Sequence, residues 1–139
     1  MTLVVCLSDG GGMIYNNRRL SRDRILMENL CELVGEYTLY ISDFSAPLFE
    51  SSDISVIAVS DPMFSAVDGD FAFVEDRGAR EYKDKIKRLV IYRWNRDYPF
   101  DMAFDVDPLA EGMELIESVD FAGYSHDKIT RETYFRKGK

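Results

Sequence analysis

The sequence predicts an α/β fold: a mixed sheet with a parallel core, an antiparallel C-terminal hairpin and few flanking helices. Three observations carry that expectation. Residues 2–7 are almost entirely apolar, the pattern of a strand buried on both faces. Short apolar runs at 38–41, 54–59, 71–74 and 89–94 recur with helical or turn segments between them, the order that favours parallel neighbours. Residues 129–135 instead alternate through Ile129, Arg131, Thr133 and Phe135, as a half-exposed antiparallel strand does.

Each element has its own signal. Asp9-Gly10-Gly11-Gly12 breaks the first strand. Ser21 is expected to cap a helix, with Asp23 in the first turn, where negative charge suits the helix dipole. Leu26, Leu30, Leu33 and Val34 then share one helical face, and Gly35 ends it. Residues 44–49 allow a helical turn limited by Pro47, and Asp61-Pro62 closes the third strand. Residues 79–87 read as a charged helix with Tyr82 and Ile86 turned inward. A turn is expected at 109–112 and late strands at 102–106, 113–119 and 129–135. No internal repeat or linker interrupts the chain, so residues 1–139 read as one domain.

Composition narrows the function classes. The 139 residues carry a formal charge of -8, which argues against a general nucleic-acid binder because phosphate contacts need a basic surface. With 46% hydrophobic and 30% charged residues the chain builds a core rather than a disordered acidic tail. Residues 1–7 lack the basic lead of a secretory signal. No segment approaches the roughly 20 apolar residues of a membrane helix. The expectation is a soluble cytoplasmic protein, monomeric or weakly homodimeric. Cys6 and Cys31 lie in apolar runs and read as buried, reduced thiols. A zinc site needs several ligands at defined spacing, and the single histidine, His126, cannot supply one. No P-loop, G-x-S-x-G elbow or paired-cysteine motif is present, so neither a metal nor a catalytic set is expected. His126 itself, in Ser125-His126-Asp127, reads as a surface turn residue, since neighbours on one turn rarely align as a triad.

The element order, joined to local strings, resembles dihydrofolate reductase. Gly12-Met13-Ile14-Tyr15-Asn16-Asn17 is similar to that family's Gly-x-Ile-Gly-x-x-Asn loop after the first strand. Arg22-Asp23-Arg24-Ile25-Leu26 falls where the family begins its substrate helix with an acid. The resemblance implies that Asp23 holds an aminopterin-like ring by paired hydrogen bonds; read alone, it is an ordinary acid at a helix start. Tyr40-Ile41-Ser42-Asp43-Phe44-Ser45 stands in the place of the family's strand and Gly-Arg-x-Thr. Phe73-Val74-Glu75-Asp76-Arg77-Gly78, followed by Tyr82, matches Ile-Gly-Gly-Gly-x-x-Tyr. Residues 12–24, 92–96 and 121–126 also resemble a group of small Firmicute-type proteins sometimes labelled ribonuclease Z. That label implies a dinuclear zinc nuclease rich in histidine, which a chain with one histidine cannot be.

The departures from the family fall on its NADPH positions. Where the resemblance implies an arginine at the 2′-phosphate, Ser42 and Asp43 stand; where it implies a glycine run under the pyrophosphate, Glu75 and Asp76 stand. Like charges ~4 Å apart repel by about 4 kcal/mol at an effective dielectric near ~20, so these degenerate positions oppose a dinucleotide. The expected function is a non-reductase protein of this fold, without NADPH or another cofactor, that binds a small anionic ligand or a protein partner. Two alternatives stand beside it. One is an NAD(P)H-dependent reductase whose clamp is rebuilt from Arg77 and Arg80. The other is an RNA-interacting protein with Arg18, Arg19, Arg22, Arg24, Arg93 and Arg96 as one stripe.

Two segments supply the ligand-binding candidates. Asn17, Arg18, Arg19, Ser21, Arg22 and Asp23 lie in a stretch holding four of the 17 basic residues within seven positions, 18–24. Arginines at a helix start form an anion site with free backbone N–H groups, or pair with acids such as Glu75, Asp76 or Asp43. Trp94 and Arg96 lie in Tyr92-Arg93-Trp94-Asn95-Arg96, where Tyr92, Trp94 and Arg96 share a face if the strand continues. That face is a stacking platform for a ligand or simply the closure of a sheet edge.

Overall fold

The computed structural model describes residues 1–138. The apolar run at the start forms β1 (Thr2–Leu7), whose Leu3, Val5 and Leu7 enter one core cluster while Val4 enters the other. That division is what a strand with helices over both faces requires. A seven-stranded sheet has the order β5-β4-β6-β1-β7-β10-β9, with β4 (Thr38–Ile41), β5 (Ser55–Ala58), β6 (Phe71–Phe73), β7 (Arg88–Arg93), β9 (Met113–Phe121) and β10 (Ile129–Arg136). The β1–β6, β1–β7, β4–β5 and β4–β6 pairs are parallel, whereas β10 runs antiparallel to both β7 and β9.

Helix α1 (Arg24–Val34) buries Leu26, Leu30 and Val34 against Val4, Leu39, Ile41 and Val90. The short helix α2 (Pro62–Ser65) seats Met63 on the opposite face with Val5, Ala72 and Ile91. The chain therefore leaves β1 over one face and returns over the other. The carboxyl ends of the parallel strands frame the crevice where open sheets of this kind bind ligands.

A second sheet, β3-β2-β8, is built from β2 (Gly12–Tyr15), β3 (Arg18–Arg19) and β8 (Met102–Ala103), and it carries the 12–24 segment over that end. Asn16 and Asn17 have φ of 52° and 60°, so Tyr15 and Arg18 pair across a two-residue hairpin loop of the kind that needs both residues left-handed. Gly12 is required by packing: a Cβ there meets the Phe100 ring at 2.3 Å.

Several sequence expectations are corrected. Ser21 does not cap α1; Asp23 does, its Oδ1 accepting from the N–H groups of Ile25 at 2.9 Å and Leu26 at 3.1 Å. Residues 79–87 hold a 3-10 helix, Arg80–Lys85, which buries none of its own side chains and so lacks the apolar stripe that would support an α-helix. The strand expected at 89–94 ends at Arg93, and Asn95 turns left-handed at φ 57°, so Arg96 does not continue the face of Tyr92 and Trp94. The β10–β9 register shifts between Thr133 and Tyr134, where β9 carries an extra residue, and against the expected alternation Tyr134 is buried while Phe135 is 36% exposed. Cys6 and Cys31 are free and only half-buried, and burial pushes both thiols up. No helix among the described residues is long and apolar enough to cross a membrane.

Candidate functional site

The start of α1, the β9–β10 turn and the loop after β7 converge on Asp23. Its side chain is fully buried and accepts six hydrogen bonds. Oδ1 takes the Ile25, Leu26 and Tyr124 N–H groups, the last at 3.0 Å. Oδ2 takes the Ser125 N–H and the His126 Nδ1, each at 2.9 Å, and the Ser125 hydroxyl at 3.2 Å. Burial pushes this carboxyl up, yet the Tyr124, Ser125, His126 and Leu26 donors outweigh it and hold the group well below the usual carboxylate range. A Cβ on Gly123 falls 2.7 Å from Asp23 Oδ2, so only glycine lets the turn approach this closely.

His126 is 5% exposed rather than a surface turn residue. Because a carboxylate only accepts, Nδ1 carries a proton and Nε2 faces the other way. Nε2 lies 2.8 Å from the Tyr98 hydroxyl and 3.1 Å from Ser21 Oγ, and Tyr98 and Ser21 are themselves 3.2 Å apart. Trp94 stacks on the imidazole at 4.7 Å between ring centroids. A pocket of about 430 Å³ opens beside this stack, bordered by Asp9, Asn95, Arg96, Asp127 and Lys128. A second, of about 330 Å³, lies across Tyr98 and is bordered by Tyr15, Arg18 and Leu20.

The crevice at the ends of β4 and β6 is built differently. Arg19 grips Glu75 with two hydrogen bonds, Nε to Oε1 at 2.9 Å and Nη2 to Oε2 at 3.0 Å, and donates to the Phe44 carbonyl at 3.0 Å. The Ser45 hydroxyl donates to Glu75 Oε2 at 2.6 Å, and the Arg19 guanidinium lies over the Phe44 ring. Asp76 holds Arg77, which also donates to the Ser60 carbonyl at 2.7 Å. Asp105 Oδ1 accepts from the N–H groups of Ala79 and Arg80, at 2.7 and 3.2 Å, at the start of the 3-10 helix. The Asp105 carboxylate packs so close to Gly78 that a Cβ there would fall 2.2 Å from Oδ2.

The candidate residues thus divide. Ser21, Asp23, Trp94 and Arg96 gather around His126. Arg18 is exposed beside the Tyr98 pocket, Asn17 sits at the hairpin tip, and Arg22 borders another pocket beside α1. Arg19 and Arg93 are bound to Glu75 and Glu132, which interrupts the supposed arginine stripe. Ser42 is buried with its hydroxyl unpaired, and Asp43 is exposed. Sequence reasoning missed Tyr98 and Asp105, and it misread His126. Only His126 carried a signal, as the one histidine, placed between Ser and Asp.

This strand order, with an acid opening α1 and a Gly-containing turn before the 3-10 helix, defines a protein with the dihydrofolate reductase fold. It is similar to the dihydrofolate reductase of Enterococcus faecalis, solved in complex with NADP(H) and RAB-propyl, with a TM-score of 0.71. The likeness covers 99% of this chain and 96% of that one at 12% identity, which establishes the fold alone. The sequence matches no family model and no curated protein.

Proposed function

We propose that this chain is a non-reductase binding protein whose ligand is a small molecule carrying one carboxylate or phosphate, held at the carboxyl end of β7. One observation carries the reading. The places where the family resemblance implies NADPH phosphates hold the chain's own carboxylates, while exposed Arg96 and Lys128 border an open pocket and have no carboxylate partner among the described residues. Asp105 already accepts from the backbone N–H groups that a pyrophosphate would use, and Glu75 already engages Arg19. Asp23 has no spare capacity for a pterin-like ring, because six protein donors fill its oxygens.

Asp9 and Asp127 share the pocket rim with the two cations, which favours a small monoanion over a polyanion such as RNA. A reductase clamp rebuilt from Arg77 gains no support, since Asp76 and the Ser60 carbonyl occupy that guanidinium. Thermal-shift titration tests the reading. NADPH and NADH at sub-millimolar concentration are expected to leave the melting temperature unchanged, while some small carboxylates or phosphate monoesters raise it. A rise of several degrees with NADPH would sink the proposal.

A further inference from the structure

We infer that Ser21, His126 and Asp23 form a nucleophilic relay that attacks activated acyl esters at Ser21 Oγ. The chemistry needs a hydroxyl, a base within hydrogen-bond reach and a group that fixes the base. All three are present, drawn from three separate parts of the fold. Ser21 Oγ lies 3.1 Å from His126 Nε2, and His126 Nδ1 lies 2.9 Å from Asp23 Oδ2. The buried carboxylate fixes the tautomer that leaves Nε2 with one lone pair, shared between the Tyr98 hydroxyl at 2.8 Å and Ser21 Oγ at 3.1 Å, and Nε2 takes the serine proton when Ser21 attacks. Trp94 covers the imidazole face, so the base is shielded from water while Ser21 remains half-exposed.

One donor stands by for the negative charge that develops on the carbonyl oxygen: the Tyr98 hydroxyl, 3.2 Å from Ser21 Oγ. Once Nε2 is protonated it no longer accepts from Tyr98, which frees that hydroxyl to donate to the oxyanion. One pocket is bordered by His126 and Trp94 and the other by Tyr98 and Leu20, the chain neighbour of Ser21, so open space adjoins the partners of the serine.

The step balances. Oγ bonds to the ester carbonyl carbon as its proton moves to Nε2. Collapse breaks the C–O bond to the leaving alkoxide, which takes that proton. Water then attacks the acyl-serine, giving a proton to Nε2 that returns to Oγ as the acid departs. One ester and one water become one acid and one alcohol. The choice of an anionic ester rests on the ligand reading above; the relay itself does not.

The test is covalent labelling of the full-length protein with a fluorophosphonate, read by intact mass and peptide mapping. The expected result is one adduct per chain, on Ser21, absent in Ser21→Ala. His126→Gln is expected to slow labelling by about 10²–10⁴-fold. No adduct on Ser21 in the folded wild-type protein, or labelling of a folded His126→Gln at the wild-type rate, overturns the relay. Hydrolysis of phenyl acetate against the phenyl monoester of succinate separates the two readings. Faster turnover of the succinate ester is expected; equal rates alongside a Ser21 adduct overturn only the anionic choice.

Discussion

At the end of β6 and at the end of β7 the same fold handles charge in opposite ways. Beside β6, Arg19 is met by Glu75 and Ser45, and the Ala79 and Arg80 N–H groups are met by Asp105. Beside β7, Arg96 and Lys128 face solvent over an open pocket, while Arg93 is met by Glu132 and the buried His126 by Asp23. The first region spends its polar groups on its own stability. The second leaves two cations with no carboxylate partner among the described residues. An excess of eight negative charges therefore has a location as well as a sum: carboxylates engage the chain's own donors at one end of the sheet, and Asp9 and Asp127 line an open pocket at the other.

The β6 region breaks most severely. Glu75→Ala leaves Arg19 and Ser45 without their acceptor at a position 8% exposed. Removing one partner of such a pair costs about 3–5 kcal/mol, which lowers the melting temperature by roughly 10–17 °C for a chain of this size. Arg19→Met with Glu75→Leu is expected to recover most of that loss, because a matched apolar pair leaves no stranded charge. A fall below about 2 °C in Glu75→Ala would place the pair with ordinary surface ion pairs and remove the contrast.

On the β7 side the buried carboxylate ranks next. Asp23→Asn replaces an acceptor of six donors by a group that presents N–H to some of them. The expected loss is about 2–3 kcal/mol at pH 7, typical for hydrogen bonds to a charged group. The folded carboxyl lies below its unfolded value of about 3.9. Its contribution is therefore complete above roughly pH 4 and disappears as pH falls through the folded value. Urea unfolding from pH 7 to pH 2.5 is expected to show the variant's deficit shrinking below pH 4. A constant deficit would mean the carboxylate's charge plays no part.

How far the sequence revealed these regions follows from the range of each interaction. β1, α1 and the parallel strands were legible because apolar spacing is local: Leu26, Leu30 and Val34 mark a face without reference to any partner. The dihydrofolate reductase fold was legible from element order joined to local strings such as Gly12-Met13-Ile14-Tyr15-Asn16-Asn17. The cap of α1 was misplaced by two residues because Ser21 and Asp23 are both good caps, and the β9–β10 turn, a hundred residues away, decides between them. The 3-10 helix at Arg80–Lys85 depends on Asp105, which no local pattern links to Ala79. His126 was misread for the same reason: a turn residue looks exposed until Asp23, Trp94 and Tyr98 close around it.

Gly78→Ala probes the β6 side more gently. Its Cβ would meet Asp105 Oδ2 at 2.2 Å and push the carboxylate off the Ala79 N–H. The cost expected from overpacking is about 1–3 kcal/mol, seen as a lower urea midpoint with an unchanged slope. Wild-type stability in this variant would show that Asp105 moves freely and that its capture of the N–H groups is incidental.

The smallest stability change sharpens the comparison most. Arg96→Ala and Lys128→Ala remove exposed cations that have no carboxylate partner among the described residues, so each is expected to shift stability by no more than about 0.5 kcal/mol. Arg96 also lies 5.8 Å from the Tyr98 ring, a distance at which an exposed contact adds little. The same changes are expected to abolish the thermal shift produced by whichever small anion stabilises the wild-type protein. Glu75→Ala, given its lost stability back by lower temperature, is expected to keep that shift. Binding would then track the β7 cations while stability tracks the β6 carboxylates. If Arg96→Ala instead lowered the melting temperature as Glu75→Ala does, its guanidinium would be serving the fold, and the two ends of the sheet would not differ in kind.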